Sequence, residues 1–288
     1  MTEITIPNFD IALTADSGQC FRFDRTGERD YQLIAHGRVL TVRDLGEGRY
    51  MLGCEQGEFE ALWRHYFDLE TDYAAILSGL PADDAFLQAA ARYAGGLRIL
   101  RQDPWETLIG FIISQRKNLA SIKSCMAAIS RRFGAPIPGT DAYAFPTPGQ
   151  LAAATLEELN ACALGYRSRY IQQTARLIAD GALDLAALDG LPDAAMRAAL
   201  VTLPGVGVKI ADCVMLFGYH RTRAFPHDVW INRVVEREYG GQTPAENLGP
   251  YAGVIQQYMF CYARGPAYRP AADASQTNAR PDSGNPLP

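Results

Sequence analysis

The sequence predicts an α+β protein, with an antiparallel sheet in its first third and helices thereafter. Three observations carry this. Between residues 6 and 54, short β-branched and aromatic segments are separated by glycine turns. From Pro104 onward, apolar residues recur at helical spacing instead. Between the two regimes stands Gly95-Gly96, where both patterns break.

Taken in order, segments 31–35, 39–43 and 49–53 read as strands, with His36-Gly37-Arg38 and Gly46-Glu47-Gly48 as their turns. Short helices are expected over 59–66 and 83–94. The helical part then reads as 104–114, 119–133, 156–163, 168–180, 194–202, 208–219, 229–239 and 251–262, separated by Pro- and Gly-containing loops. No internal repeat is present. The expected organisation is a sheet domain over 1–96, a helical domain over 97–268, and a disordered tail over 269–288, rich in Pro, Ala, Ser, Asn and Asp.

The 288 residues are 48% hydrophobic and 20% charged, a globular balance. No apolar run is long enough to span a membrane, and the polar, acidic start MTEITIPNFD does not read as a signal peptide. Six cysteines (20, 54, 125, 162, 213 and 261) lack CxxC spacing. They read as reduced thiols of a cytoplasmic protein with no zinc or iron–sulfur motif. The net charge of −5 hides an asymmetry. Residues 1–96 hold eight Arg against 16 Asp and Glu, whereas residues 97–288 hold 19 Lys and Arg against 16 acids. A DNA partner is therefore not excluded, because phosphate contacts depend on local charge and backbone amides.

The chain around which the rest is organised is Leu203-Pro-Gly-Val-Gly-Val-Lys209, lying between two helical runs. Gly205 and Gly207 can bring bare backbone close to a ligand, and the helix start beyond them favours an anion. A Walker loop is excluded by its missing GxxxxGK[ST]. A dinucleotide fingerprint is disfavoured, because a helix precedes the glycines. Lys209 is one of only three lysines, beside 24 arginines. An amine, unlike a guanidinium, can lose its proton and act as a nucleophile. Burial and the helix dipole at this position both disfavour its charged form. Downstream, Phe225-Pro-His-Asp228 precedes another helical run, where Asp228 is a natural N-cap. A carboxylate there can also stabilise positive charge or assist proton transfer in a neighbouring site.

Together, LPGVGVK and FPHD resemble the helix-hairpin-helix, Gly-Pro-Asp superfamily of DNA base-excision glycosylases, and within it the 8-oxoguanine DNA glycosylase/AP lyases. The resemblance covers residues 8–264. It includes Ser17-Gly-Gln-Cys-Phe-Arg22, Leu100-Arg-Gln-Asp-Pro104, Leu164-Gly-Tyr-Arg-Ser-Arg-Tyr170 and Gly249-Pro-Tyr-Ala-Gly253 in the family's order. It implies a TBP-like sheet domain followed by an all-α glycosylase domain, acting as a monomer on double-stranded DNA without an organic cofactor.

The resemblance also implies residue roles. Lys209 would attack the sugar and Asp228 would be the essential aspartate. Cys213 and Phe260 would sandwich an extruded base; read alone, they are a core cysteine and a core aromatic. Gln256 would read the base edge, and read alone it is an exposed helix polar. The Gly18 carbonyl would accept a hydrogen bond from N7–H, a donor that guanine lacks. Arg167 would read the estranged cytosine, and Asn118 closes the loop that enters the duplex. Gly205, Gly207 and Ile210 would offer amides to phosphate. The carbonyls of Val201, Leu203 and Val206 would suit a structural cation, not a catalytic one.

The chain departs from the family at four places. Arg116 and Lys117 replace asparagines, Ser121 replaces a second cytosine-reading arginine, and Trp230 stands where a histidine is frequent. These bear on opposite-base preference. Two rivals remain. A monofunctional alkylbase glycosylase would use Asp228 to activate water and would need no lysine. A non-catalytic hairpin module would bind DNA backbone alone. An endonuclease III-like enzyme is disfavoured because its four-cysteine cluster is missing.

Overall fold

The computed structural model describes residues 1–268. The tail expected over 269–288 lies outside the described residues. Five strands form one antiparallel sheet in the order β1 (Thr2–Thr5), β5 (Arg49–Leu52), β4 (Arg38–Gly46), β3 (Asp30–Ala35), β2 (Phe23–Arg25). The β3–β4 hairpin turns at His36-Gly37, both left-handed (φ 51° and 68°), the geometry that matches strand twist. Its register pairs Ile34 with Val39 and Leu33 with Leu40. Along β3, Tyr31, Leu33 and Ala35 are buried and alternate with partly exposed residues. The buried face packs against Phe9, Phe59, Trp63, Tyr66 and Phe67.

Two features of this part differ from the strand-only reading of residues 6–54. β1 begins at Thr2 and pairs with β5, a contact fifty residues apart in the chain. Within the stretch, Ile11–Asp16 is a helix, capped by Asp10 accepting from Leu13 N at 2.9 Å. Six residues are too few to show a helical period.

A second apolar cluster holds the helices. It gathers Leu108, Ile112, Val214, Met215 and Met259, and also Tyr73, Leu87 and Leu97. Helices Tyr73–Ser78 and Ala85–Ala94 thus pack with the helical part, the second of them against Ala252–Arg264. Helices Pro104–Ser114, Leu119–Phe133 and Val229–Tyr239 have the bounds their spacing predicts. No described helix is long and apolar enough to cross a membrane.

Helices Pro104–Ser114 and Val208–Phe217 lie side by side, with Phe111 stacked on Phe217 at 5.5 Å. They run in opposite directions. A Cβ on Gly218 would lie 3.1 Å from the Pro104 Cα, whereas Gln115 bonds Gly205 at the other end. The end that carries Ser114 and Lys209 opens into the cleft described next.

Candidate active site

The hairpin follows helix Asp193–Val201 and is closed by Val206 N donating to Leu203 O at 3.1 Å. Its glycines have different reasons to be glycine. Gly205 has φ +79°, and a Cβ there would fall 2.6 Å from the Tyr170 ring. Gly207 has extended backbone (φ −93°), and a Cβ there would meet nothing within 4 Å. Positive φ therefore calls for glycine at 205 only. Gly207 instead supplies an N-cap without a side chain, leaving the first amides of helix Val208–Phe217 uncapped by any side chain. Of the carbonyls expected to suit a cation, that of Leu203 is already engaged by Val206 N.

Lys209 stands in the first turn of that helix, partly buried, with Nζ 5.2 Å from the centre of the Phe111 ring. Phe111 is itself held edge-on by Phe21 at 5.2 Å. One turn further along the helix, Cys213 is 3% exposed. Burial pushes its thiol up to about 11, against the pull of neighbouring Lys209, so it is a neutral thiol at neutral pH. Asp228 caps helix Val229–Tyr239, Oδ1 accepting from Ile231 N at 2.8 Å. Its capping role is thus real, and the same carboxylate faces the cleft.

The cleft encloses about 610 Å³ and is lined by Gly18, Phe21, Phe111, Arg116, Asn118, Lys209, Ile210, Asp228, Trp230 and Phe260, among others. It brings together residues from five distant stretches of chain. Gly18 reaches it on a left-handed turn (φ +79°) held from behind by Gln19. The Gln19 amide is 1% exposed and donates to Ser17 Oγ (3.0 Å) and Arg98 O (2.9 Å), while accepting from Leu100 N (2.8 Å). Asn118 caps helix Leu119–Phe133 through Ser121 N at 2.8 Å. Phe260 lines the opposite wall with the Arg264 guanidinium over its ring at 4.9 Å.

Three expected site residues sit behind the walls. Cys213 lies beneath Lys209. Gln256, which on its own would read as an exposed helix polar, is 2% exposed. Its Nε2 donates to Pro226 O (2.9 Å) and its Oε1 accepts from Gln257 (2.7 Å). Arg167 is 6% exposed and bonds the carbonyls of Leu164 and Gln115. Further groups facing the cleft escaped the sequence reading, among them Phe21, Phe111, His227 and Arg264. Phe21 and His227 fall inside quoted motifs; Phe111 and Arg264 carry no local signal.

Comparison with known proteins identifies the family of the chain. The model for the 8-oxoguanine DNA glycosylase N-terminal domain matches residues 1–108, and that for HhH-GPD superfamily base excision DNA repair proteins matches 109–247. A probable N-glycosylase/DNA lyase of Methanothermobacter thermautotrophicus is 28% identical over 300 residues, covering 91% of this chain and 95% of the relative. The N-glycosylase/DNA lyase OGG1 of Arabidopsis thaliana is 31% identical over 287 residues, covering 90% and 77% respectively. The Clostridium acetobutylicum 8-oxoguanine glycosylase/lyase, solved with double-stranded DNA containing cytosine opposite 8-oxoguanine, matches at TM-score 0.84 and 34% identity. That match covers 89% of this chain and 92% of that one.

Proposed function

The chain belongs to the 8-oxoguanine DNA glycosylase/lyase family of the HhH-GPD superfamily, and from that we propose that it excises 8-oxoguanine from duplex DNA and nicks the resulting site. The observation that carries this reading is one cleft lined by an amine (Lys209) and a carboxylate (Asp228) beside an uncapped helix start.

A base inside a duplex is out of reach, so the nucleotide must be extruded, at about a few kcal/mol in lost stacking. The hairpin amides hold backbone phosphate, and loop 115–118 occupies the gap. The free amine of Lys209 attacks C1′: a C–N bond forms to the sugar, and the glycosidic bond breaks with its electron pair going to the base. The resulting cyclic aminal breaks its C1′–O4′ bond as a proton moves from the nitrogen to O4′, and the open-chain imine so formed acidifies the hydrogens on C2′. Loss of one proton there expels the 3′ phosphate by β-elimination. Asp228 stabilises the positive charge that builds at C1′. Cys213, a neutral thiol, and Phe260 offer polarisable surfaces for the base. The Gly18 carbonyl gives selectivity, because it pairs with the N7–H of the oxidised base and would face a lone pair in guanine.

The protein acts as a monomer on DNA in the cytoplasm, a setting in keeping with six free cysteines. No organic cofactor enters the scheme. The test is a set of lesion duplexes scored separately for base release and strand cleavage. Both are expected with 8-oxoguanine opposite cytosine, and both disappear in Lys209→Gln. Release without cleavage, surviving in Lys209→Gln, would point instead to the water-activating, monofunctional alternative.

A further inference from the structure

The Gly18 carbonyl tests whether a purine is oxidised, not which purine it is. Oxidation at C8 gives guanine and adenine alike an N7–H donor. Purine identity lies on the Watson–Crick edge, where an extruded base is read. Guanine and its oxidised form present an acceptor, O6, beside a donor, N1–H. Adenine presents the reverse, the N6 amino donor beside the acceptor N1. A glutamine amide has one donor end and one acceptor end, so it fits either edge after turning end for end. A glutamine that reads one purine only must therefore have its amide held. Gln256 is held at both ends. It stands one helical turn before Phe260, which lines the cleft, and its partner Pro226 immediately precedes His227 and Asp228, which line it too. Its Nε2 donates to Pro226 O (2.9 Å), and its Oε1 accepts from Gln257 Nε2 (2.7 Å).

Resting on the glycosylase reading, we infer that Gln257 is a positioning residue: it locks the Gln256 amide in one orientation and so restricts the site to guanine-type edges among oxidised purines. The Pro226 carbonyl can only accept, so it fixes the nitrogen end, and Gln257 meets the oxygen end with a donor. The two bonds use one N–H and one lone pair of the amide and leave one of each for a base. With 8-oxoguanine as substrate, the free N–H serves O6 and the free lone pair serves N1–H. Gln257 is 5% exposed, and its own Oε1 is buried with no hydrogen-bond partner among the described residues. An orphaned buried acceptor costs folding free energy, so stability gives little reason for an amide at 257, where an apolar side chain would carry no such cost. Without a donor at 257, the locked orientation loses one of its two bonds and with it much of its advantage over the turned one. The turned amide fits the adenine edge. Gln257 acts through Gln256 and takes no part in bond breaking.

Single-turnover base release from duplexes carrying 8-oxoguanine, 8-oxohypoxanthine or 8-oxoadenine tests this, each lesion opposite cytosine so that the opposite base is constant. 8-Oxohypoxanthine keeps O6 and N1–H and lacks only the N2 amino group. Wild type is expected to release it much as it releases 8-oxoguanine, and to release 8-oxoadenine at least about tenfold more slowly. Gln257→Met and Gln257→Leu keep bulk but offer no donor. Each should lower the 8-oxoguanine-to-8-oxoadenine ratio by about tenfold while nicking a preformed abasic site, which holds no base to read, at the wild-type rate. An unchanged ratio in a variant that still nicks abasic sites overturns the assignment. So does joint loss of release and nicking in both variants, which would make 257 a folding position. A wild type that releases 8-oxoadenine as fast as 8-oxoguanine, or 8-oxohypoxanthine as slowly as 8-oxoadenine, overturns the lock itself. Failure of wild type to release 8-oxoguanine would count instead against the glycosylase reading.

Discussion

The two hairpin glycines separate folding from binding at the scale of single residues. Alanine at 205 would adopt a left-handed φ and collide with Tyr170. Gly205→Ala should destabilise the protein by about 1–3 kcal/mol and weaken DNA binding as well. Alanine at 207 meets open space in extended backbone, so Gly207→Ala should leave the unfolding temperature nearly unchanged while still weakening DNA binding. Thermal unfolding and a binding isotherm on both variants check the contrast; equal effects on stability would contradict it. Gln19 is the analogous case at the other wall. Its three buried hydrogen bonds hold the turn that presents Gly18. Gln19→Ala should therefore reduce discrimination between 8-oxoguanine and guanine more than it reduces cleavage at a preformed abasic site. Lys209 and Asp228 could be singled out in the sequence, one as a rare lysine after a glycine hairpin and the other as an aspartate at a helix start, whereas Gly18 and Phe260 came only with the family resemblance. The burial of Gln256 and Arg167 could not, since it depends on carbonyls of Pro226, Leu164 and Gln115 whose position only the packed fold defines.

At the scale of elements, the Asp228 carboxylate has two tasks that substitution can pull apart. Asparagine caps a helix about as well as aspartate, and alanine does not. Asp228→Asn should keep stability within a few tenths of a kcal/mol yet lose most base release. Asp228→Ala should lose about 1 kcal/mol of stability in addition. Base-release rates and unfolding curves measured together decide this, and full activity in Asp228→Asn would limit the residue to capping. The longer helices were legible for a physical reason. Pro104–Ser114 opens with an Asp103 cap and proline, and from Leu108 to Ile113 it carries no polar side chain because that stretch is buried on every side. β1 was not, because its pairing partner β5 is remote in sequence. Helix Ile11–Asp16 was not either, because its entry is fixed by Asp10, whose amide bonds the Gly96 carbonyl across the molecule.

At the scale of the whole molecule, the sheet and the helices are joined at Asp68. Its buried carboxylate is bonded by Tyr73 (2.9 Å) and paired with Arg101 (2.8 Å) and His220 (3.1 Å), the last just beyond the helix that bears Lys209. Burial alone would raise this carboxyl, but the bond and charge of His220, with Arg101, outweigh it and hold it at about 2, below the usual 3.8. A depressed carboxyl stabilises the fold above its unfolded value, and that stability is lost as pH falls through the folded one. The contribution is about 2 kcal/mol. Asp68→Asn should therefore be less stable than wild type at pH 7, with the gap narrowing between about pH 4 and pH 2; a gap independent of pH would rule out an electrostatic joint. The account as a whole turns on one covalent bond. Borohydride added during reaction with a duplex holding 8-oxoguanine opposite cytosine should fix DNA to the protein, and peptide mass mapping should find it on Lys209. Efficient base release with no fixed adduct, or an adduct on another residue, would contradict it.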